Sequence, residues 1–301
     1  MANFVLIGFC ILAGVLFRYR KLVPADAHKG INAWIINLAL PAVSFKYLPY
    51  INWTSELLIP AFSPIIIFVG ALIFARIISI KLKPTDANYG VLQLTSGLSN
   101  TSFVGFPLIM AYYGEKVLSI AIICDQVTFM LFSVGGIIIA LRASGKGSIP
   151  LAQVAKKIFL FPPFVGCVAA LTIPRFIDVT PLSPFFNILA TTIAPLALFS
   201  IGLQLSFTGW REQLKPIAAV LTYKLVLAPI LILSVVLALG YSGMISKIAV
   251  FEASMPVLLS VGVLADVYGI NPRLANLIIG VSIVLSFITT CLWFNIIEAV
   301  L

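Results

Sequence analysis

The sequence predicts an all-α polytopic membrane protein, with ten transmembrane helices arranged as two inverted repeats of five. Three observations predict this architecture. The 301 residues are 61% hydrophobic and only 10% charged, whereas a soluble domain is roughly half apolar and a quarter charged. Charged residues, prolines and glycines divide the chain into about ten apolar segments of membrane-spanning length. Short motifs also recur at a nearly constant distance in the two halves of the chain.

The ten spans follow from the need for about 20 apolar residues to cross a bilayer. The predicted spans cover residues 3–17, 30–48, 57–80, 88–113, 117–141, 156–174, 182–207, 215–239, 245–268 and 273–298. They predict a first five-helix repeat over 1–141, a cytoplasmic linker over 142–155 and a second five-helix repeat over 156–301.

The basic residues predict how the spans are oriented. Of the 19 Lys and Arg residues, 14 follow odd-numbered spans, four follow even-numbered spans, and Lys224 lies inside span eight. Because positive residues favour cytoplasmic loops, we expect a multi-pass protein of the cell (inner) membrane with both termini outside. The first apolar run precedes its positive residues, Arg18, Arg20 and Lys21. A cleavable signal peptide has the opposite order, so this run is expected to remain as a helix.

The charge and motif content exclude several other classes. The net charge is +9, but the basic residues form no patch with interleaved aromatics, so the expected partner is the lipid bilayer and no nucleic acid. The four cysteines lie in apolar runs without metal-binding spacing, and His28 has no partner ligand nearby. The chain has no HExxH, GxSxG or nucleotide-binding motif, so neither an enzyme nor ATP-driven transport is expected.

The inverted repeat is predicted from two pairs of short motifs. "LPAVSFKYL" resembles "APLALFSIGL", and their prolines, Pro41 and Pro195, are 154 residues apart. "AYYG" resembles "DVYG", and their tyrosines, Tyr113 and Tyr268, are 155 residues apart. Since each half holds an odd number of spans, the second half crosses the membrane in the opposite sense. Inverted repeats of this kind are typical of transporters.

Span four contains the polar stretch "GLSNTSFVGFPLIMAYYGEK", with Asn100, Thr101 and Ser102 followed by Gly105 and Pro107. A proline inside a spanning helix removes a backbone donor and frees a carbonyl. In lipid, such a break is tolerated only where it faces protein or a water-filled cavity. The stretch therefore predicts two half-helices around a polar interior. An ordinary kinked helix with Ser and Thr side chains bonded to its own backbone is the alternative.

Span nine shows the same pattern in the second half, with Pro256 flanked by Glu252 and Ser260. Interrupted helices in corresponding positions of two repeats point to a binding site near the membrane midplane. Two further ionisable residues, Asp125 and Lys224, lie inside spans five and eight. Charges in the bilayer core usually face a cavity and serve function. Lys224 fits either a structural role or a substrate contact.

Four side chains are candidates for a coupling-ion site. Asp125 and Thr128 are three residues apart and therefore share one helix face. Together with Asn100 and Glu252 they offer a cation several hard oxygen ligands. This set predicts a site for a hard cation.

Three motifs carry a family likeness: "NLALPAVSF" in span two, "NTSFVGFPLIMAYYGE" in span four and "MPVLLSVGVLADVYGINP" from span nine into ten. They resemble the auxin efflux carrier family, which includes the plant PIN-formed auxin exporters and many bacterial organic-anion permeases. The resemblance covers the whole ten-span plan. It implies a 5+5 fold in which a scaffold domain and a transport domain each draw helices from both repeats. Spans four and nine would cross at their broken centres.

The resemblance also implies site residues. The positions matching the substrate contacts of the plant exporters are Ser44 and Asn100, and Thr101, Ser102 and Ser260 lie beside the implied crossing. The crossing itself would involve four positions: Gly105, Pro107, Pro256 and Val261. Val261 stands where the plant motif has a second proline, and the long plant loop is reduced to about residues 142–155. A small carboxylate is therefore expected as substrate rather than auxin.

A second likeness bears on coupling. "SN" at Ser99–Asn100 and "EASM" at Glu252–Met255 resemble the crossing helices of bile-acid/sodium symporters, which implies sodium at Asn100 and Glu252. Proton coupling through Asp125 or Glu252, and uncoupled export, remain alternatives. The expected function is secondary transport of small organic anions, with a cation/proton antiporter on the same fold as the alternative. No cofactor beyond a sodium ion is expected, and the expected partners include a second copy of the chain in a homodimer.

Overall fold

The protein is all-helical wherever its computed structural model describes it. The structure describes residues 2–51, 53–145, 156, 159–205 and 210–301, and no β-strand lies in these ranges. Six helical segments within them are long and apolar enough to cross a membrane. They are Ala27–Tyr50, Ser55–Leu82, Glu115–Ser144, Thr180–Gln204, Arg211–Ala238 and Pro272–Val300.

These six segments correspond to predicted spans two, three, five, seven, eight and ten. Two shorter apolar helices, Asn3–Tyr19 and Thr101–Tyr112, overlap predicted spans one and four. The full plan of ten spans in inverted repeats stays a prediction. Residues 146–155 of the predicted linker lie outside the described residues.

Helices of very different lengths follow one another along the described chain. The α-helices are α1 (Ala2–Tyr19), α2 (Ala27–Trp34), α3 (Leu40–Tyr47), α4 (Leu58–Leu82), α5 (Asp86–Gly97), α6 (Phe106–Tyr112), α7 (Leu118–Leu131), α8 (Ile137–Ser144), α9 (Pro162–Thr172), α10 (Ser183–Thr191), α11 (Ile193–Gln204), α12 (Leu214–Thr222), α13 (Ala228–Ala238), α14 (Met244–Ala253), α15 (Ser260–Tyr268) and α16 (Pro272–Val300). Four π-helical turns join or continue them: π1 (Ile35–Ala39), π2 (Thr101–Gly105), π3 (Phe132–Gly136) and π4 (Tyr223–Leu227).

Local sequence explains where several helices begin and end. Lys83 ends α4 in a left-handed conformation with φ 44°, a common way to close a helix. The Thr85 hydroxyl then accepts the backbone N–H of Asn88 at 3.3 Å and caps α5. Asn271 caps α16 in the same way, accepting the Leu274 N–H at 3.1 Å. Side-chain caps of this kind satisfy backbone donors that the first helical turn leaves open.

The chain folds into two compact units, and each takes segments from both halves of the sequence. The first unit comprises Met1–Thr54, Ser102–Ile122 and Lys156–Leu205. The second unit comprises Ser55–Thr101, Ile123–Ala155 and Ser206–Leu301.

The first unit is held together by a close approach of α1 and α11. A Cβ atom on Gly14 would collide with the carbonyl oxygen of Phe199, and a Cβ on Gly202 would collide with that of Ile11. Only glycine permits the two backbones to come this near. Small residues at helix contacts are a general means of packing helices in membranes, where the lipid supplies no hydrophobic drive between them.

The second unit packs the ring of Phe68, on α4, against two glycines. A Cβ on Gly97, the last residue of α5, would lie 2.8 Å from the ring, and so would a Cβ on Gly135 in π3. Phe68 is only 7% exposed. The ring therefore fixes the C-terminal end of α5, which is where the candidate site begins.

Candidate functional site

The second unit contains two short non-helical segments within apolar surroundings. Residues 98–100 separate α5 from π2, and residues 254–259 separate α14 from α15. We refer to them as the paired segments, because they form an antiparallel bridge with each other. The Asn100 N–H donates to the Pro256 carbonyl at 2.8 Å, and the Leu258 N–H donates to the Leu98 carbonyl at 3.0 Å. Pairing of this kind satisfies backbone groups that no helix satisfies here.

The sequence predicts the break of span four at Pro107, but the structure places the non-helical residues at 98–100. Pro107 is in the first turn of α6, and Gly105 is the last residue of π2. The helix therefore continues across both positions. A proline lacks the N–H that would bond one turn back, and the wider π2 turn directly before α6 accommodates this loss. The backbone at 98–100 is non-helical where it pairs with residues 254–259, not where the proline ring lies.

Three acidic or basic side chains are buried among the described residues of the second unit. Asp125, Lys224 and Glu252 are 4%, 0% and 2% exposed. The Thr101 hydroxyl donates to Oδ1 of Asp125 at 2.6 Å, and the Lys224 ammonium donates to the hydroxyl of Ser99. Both Asp125 and Lys224 interact electrostatically with Glu252. Residues from α7, π4 and α14 are thus brought together beside the paired segments.

Glu252 is the least satisfied of these groups. Both of its carboxylate oxygens are buried and accept no hydrogen bond from the described residues. It also lies in the last turn of α14, where the helix dipole presents partial negative charge. A buried carboxylate without a partner costs several kcal/mol or more, so it takes up a proton or a cation. Glu252 is therefore the group in this site most in need of a positive ligand.

The helix ends in this region have charges of the opposite sign beside them. Lys224 bonds to Ser99, two residues beyond the C-terminus of α5. Asp125 accepts a bond from Thr101, the first residue of π2. A cation near a helix C-terminus and an anion near a helix N-terminus are both stabilising. This arrangement offsets the partial charges that interrupted helices expose in an apolar medium.

The other predicted residues of the second unit lie on neighbouring elements. Asn100 is fully buried. Thr128 lies on α7 one turn after Asp125, and its buried hydroxyl finds no hydrogen-bond partner among the described residues. Ser260 is the first residue of α15 and Val261, which is fully buried, is the second.

The remaining predicted residues belong to the first unit: Ser44, Ser102, Gly105 and Pro107. Ser44 is 1% exposed and its hydroxyl donates to the Leu40 carbonyl at 3.3 Å. Ser102 is also buried, at 5% exposure.

The first unit also contains an open pocket of about 210 Å³, lined by apolar side chains and by Pro107. Its polar lining includes an ion pair in which Lys46 contacts Glu115 at 3.2 Å. The Tyr47 hydroxyl donates to the same carboxylate at 3.2 Å. Ser44 is not among the residues that line this pocket.

Sequence reasoning missed several contacts of the site. It left the role of Lys224 open, and it named Ser99 only as part of a motif, without the bond that Lys224 makes to it. It also missed Ser282, whose hydroxyl accepts the Val257 N–H at 3.2 Å. The signal for Lys224 was its position as a lysine inside an apolar span, whereas a serine such as Ser282 in a long apolar helix carries no comparable signal.

Comparison with known proteins identifies the family. The family described as membrane transport protein matches residues 2–294 of the chain. The chain belongs to this family of auxin efflux carrier-like membrane transporters. The resemblance inferred from the span-two, span-four and span-nine motifs is thereby confirmed, and the protein is a multi-pass membrane transporter.

Its relatives are similar over nearly their whole length. An "Uncharacterized transporter" of Methanothermobacter thermautotrophicus is 24% identical, over 94% of this chain and 93% of the relative. An "Uncharacterized transporter YfdV" of Escherichia coli (strain K12) is 25% identical over similar shares, 94% and 93%. A protein of Rhizobium meliloti (strain 1021) described as "Putative malonate transporter" is 27% identical, over 88% of this chain and 86% of the relative. These relatives are described as transporters, not as enzymes.

Proposed function

We propose that the protein is a secondary active transporter of small organic anions that works by alternating access. The observation that carries the proposal is the pairing of two helix interruptions in the second unit, beside a buried asparagine and a buried glutamate that accepts no hydrogen bond from the described residues. Polar backbone of this kind at membrane depth serves ligands rather than packing. Membership of the transporter family supports the proposal, and the relative described as a malonate transporter favours small carboxylates.

We assign substrate binding to five polar side chains. They are Ser44, Asn100, Thr101, Ser102 and Ser260. The amide and hydroxyl groups are hydrogen-bond donors, and the N-terminal ends of π2 and α15 add partial positive charge. Both features suit a carboxylate. The second unit, which contains the paired segments, serves in this proposal as the transport domain, and the first unit serves as the scaffold.

We assign cation coupling to Glu252, together with Asn100, Asp125 and Thr128. Among the described residues, Glu252 has two buried oxygens without hydrogen bonds and Thr128 has one. Oxygen ligands of this kind suit a hard cation such as sodium. No cluster of three or more His, Cys, Asp or Glu residues that would hold a metal ion lies in the described part of the chain. A sodium ion at this site would be bound by mixed carboxylate, amide and hydroxyl oxygens.

A cation/proton antiporter on the same fold is the second candidate. The electrostatic interaction between Asp125 and Glu252 favours it, because two carboxylates close together readily exchange a proton for a cation. In that case the same residues would bind a proton and a cation in turn, with no organic anion.

The membrane arrangement completes the proposal. Ten spans in a 5+5 inverted repeat would place both termini on the same side of the cell (inner) membrane, and we propose that this side is the outside. The excess of Lys and Arg after odd-numbered spans supports this orientation. We also propose that the chain forms a homodimer. Cross-linking in native membranes tests this assembly.

The deciding experiment is transport in proteoliposomes with the purified full-length chain. Radiolabelled malonate, succinate and indole acetate are offered under an inward sodium gradient, a proton gradient or neither, with protein-free vesicles as the control. We expect uptake of at least one small dicarboxylate that rises with the sodium gradient. Sodium/proton exchange without uptake of any anion would establish the antiporter instead. Neither activity would refute both assignments.

A further inference from the structure

Lys224 lies in the π4 turn, in the middle of a segment long and apolar enough to cross the membrane. A π-turn widens a helix and leaves a backbone carbonyl without its usual partner. Here the Trp293 indole N–H donates to the Leu225 carbonyl at 2.8 Å. On the other side, the Tyr223 hydroxyl donates to the Ile67 carbonyl at 2.6 Å. The turn is therefore held by α16 and α4, which fixes the direction of the lysine between them.

The Lys224 ammonium is fully buried, and the hydroxyl of Ser99 is its hydrogen-bond acceptor. It has three protons to donate. Glu252 acts on it only through its electrostatic field. A lysine in the interior of a membrane protein is costly and persists where it balances other charge. The negative charges that reach it are Glu252 and the C-terminal end of α5, and Glu252 in turn interacts with Asp125.

The balance of full charges is then simple. Asp125 and Glu252 carry one negative charge each when ionised, and Lys224 carries one positive charge. The site as a whole lacks one positive charge. One monovalent cation taken up from solution and bound at Glu252 makes the site neutral. Without the lysine, the same two carboxylates would need two dissolved cations.

We propose that Lys224 is a resident cation of this site. Its ammonium takes the place of a second dissolved cation and limits the requirement to one monovalent cation per transport cycle. Lys224 is a positioning residue: it holds Ser99 in the first paired segment and sets the field at Glu252, without contacting the substrate. The inference rests on the proposed cation coupling at Glu252 and extends it to stoichiometry and affinity.

The test is a sodium titration of thermal unfolding with the purified full-length chain in detergent. Choline chloride keeps the ionic strength constant. In Lys224→Met the site carries one more negative charge than in the wild type. At an effective dielectric constant of about 20, a unit charge anywhere within about 10 Å changes cation binding by more than about tenfold. We therefore expect the sodium concentration at half effect to fall at least about tenfold in Lys224→Met.

Two controls separate charge from shape and position. Lys224→Arg keeps the charge and is expected to retain the wild-type midpoint within about threefold. Lys247→Met removes a lysine of the second unit that pairs with Glu298 at 2.8 Å, and is expected to leave the sodium midpoint unchanged. The same midpoint in Lys224→Met as in the wild type would overturn the proposal. Equal effects of the Met and Arg variants would overturn it too, because shape rather than charge would then matter.

A double variant covers the case in which Lys224→Met does not fold. Lys224→Met combined with Glu252→Gln restores the wild-type net charge of the site. We expect it to unfold in choline at a higher temperature than Lys224→Met alone. A double variant no more stable than the single one, or one that also fails to fold, would show that Lys224 serves packing and would refute the inference.

The proposed coupling and the resident-cation inference can fail separately. If the wild type shows no sodium response at all, the coupling ion assigned under the proposed function is wrong. The comparison of the single and double variants in choline still decides whether Lys224 balances Glu252. If the wild type responds to sodium but Lys224→Met does not differ from it, only the resident-cation inference is refuted.

Discussion

Replacing Glu252 by glutamine tests the candidate cation site most directly, because the change keeps the side-chain shape and removes the charge. Without sodium, the wild type buries a carboxylate that is 2% exposed and accepts no hydrogen bond from the described residues, at a cost of several kcal/mol or more. A buried glutamine amide without partners costs less, about 1–3 kcal/mol. Glu252→Gln is therefore expected to be at least as stable as the wild type in sodium-free buffer.

Sodium should reverse this order. A ligand that binds only the folded state at 100 times its dissociation constant stabilises it by about 2.7 kcal/mol. In a chain of this size, about 1 kcal/mol corresponds to roughly 2–4 °C in Tm. We expect the wild-type Tm to rise by about 5–10 °C at saturating sodium. Glu252→Gln should show no such rise.

The assay is thermal unfolding of both proteins in detergent, in sodium chloride and in choline chloride of equal ionic strength. Glu298→Gln is the matched control, because Glu298 also belongs to the second unit but forms an exposed pair with Lys247 at 2.8 Å. It should respond to sodium as the wild type does. An unchanged sodium response in Glu252→Gln would remove this residue from the coupling site. An equal loss of stability with and without sodium would mean that Glu252 is a structural partner of Lys224.

Three further predictions follow from the two units and the loops. Gly14→Ala should destabilise the protein by about 1–3 kcal/mol, because its Cβ meets the opposing backbone; thermal unfolding measures this against Gly8→Ala, where nothing lies within 4 Å. Asn100→Ala should weaken malonate binding, measured by calorimetry, with little loss of Tm; unchanged binding and transport would remove Asn100 from the substrate site. In a cysteine-free background, a cysteine at position 2 should react with an impermeant maleimide added to intact cells and one at position 146 should not, and the opposite labelling pattern would contradict the proposed orientation.

Much of the fold class was available from composition and from the lengths of the apolar segments. An apolar chain with few charges has to be membrane-embedded, and apolar segments in a membrane form helices because each backbone group must be bonded internally. The six long apolar helices agree with this prediction. The motifs in spans two, four and nine resembled those of the family, and the match over residues 2–294 confirms that membership. The plan of ten spans in inverted repeats stays a prediction.

The position of the interruption was harder to predict. Pro107 marks span four as irregular, yet the helix continues through it and the non-helical segment lies at 98–100. A proline can be tolerated in a helix when a neighbouring turn widens, as π2 does. The backbone at residue 100 is non-helical, and its N–H bonds to the carbonyl of residue 256 instead. A pairing between residues more than 150 positions apart has no local signal in the sequence.

The sequence by itself determined which unusual residues the chain contains: an asparagine among hydroxyls, two acidic residues and one lysine inside apolar spans. Only the tertiary structure decided which of them meet. Lys224 bonds to Ser99 because the π4 turn, held by Trp293, directs it there, whereas Glu252 accepts no hydrogen bond from any described residue. Local propensity depends on neighbours in sequence, whereas charge balance in an apolar interior depends on groups that folding brings together from distant helices.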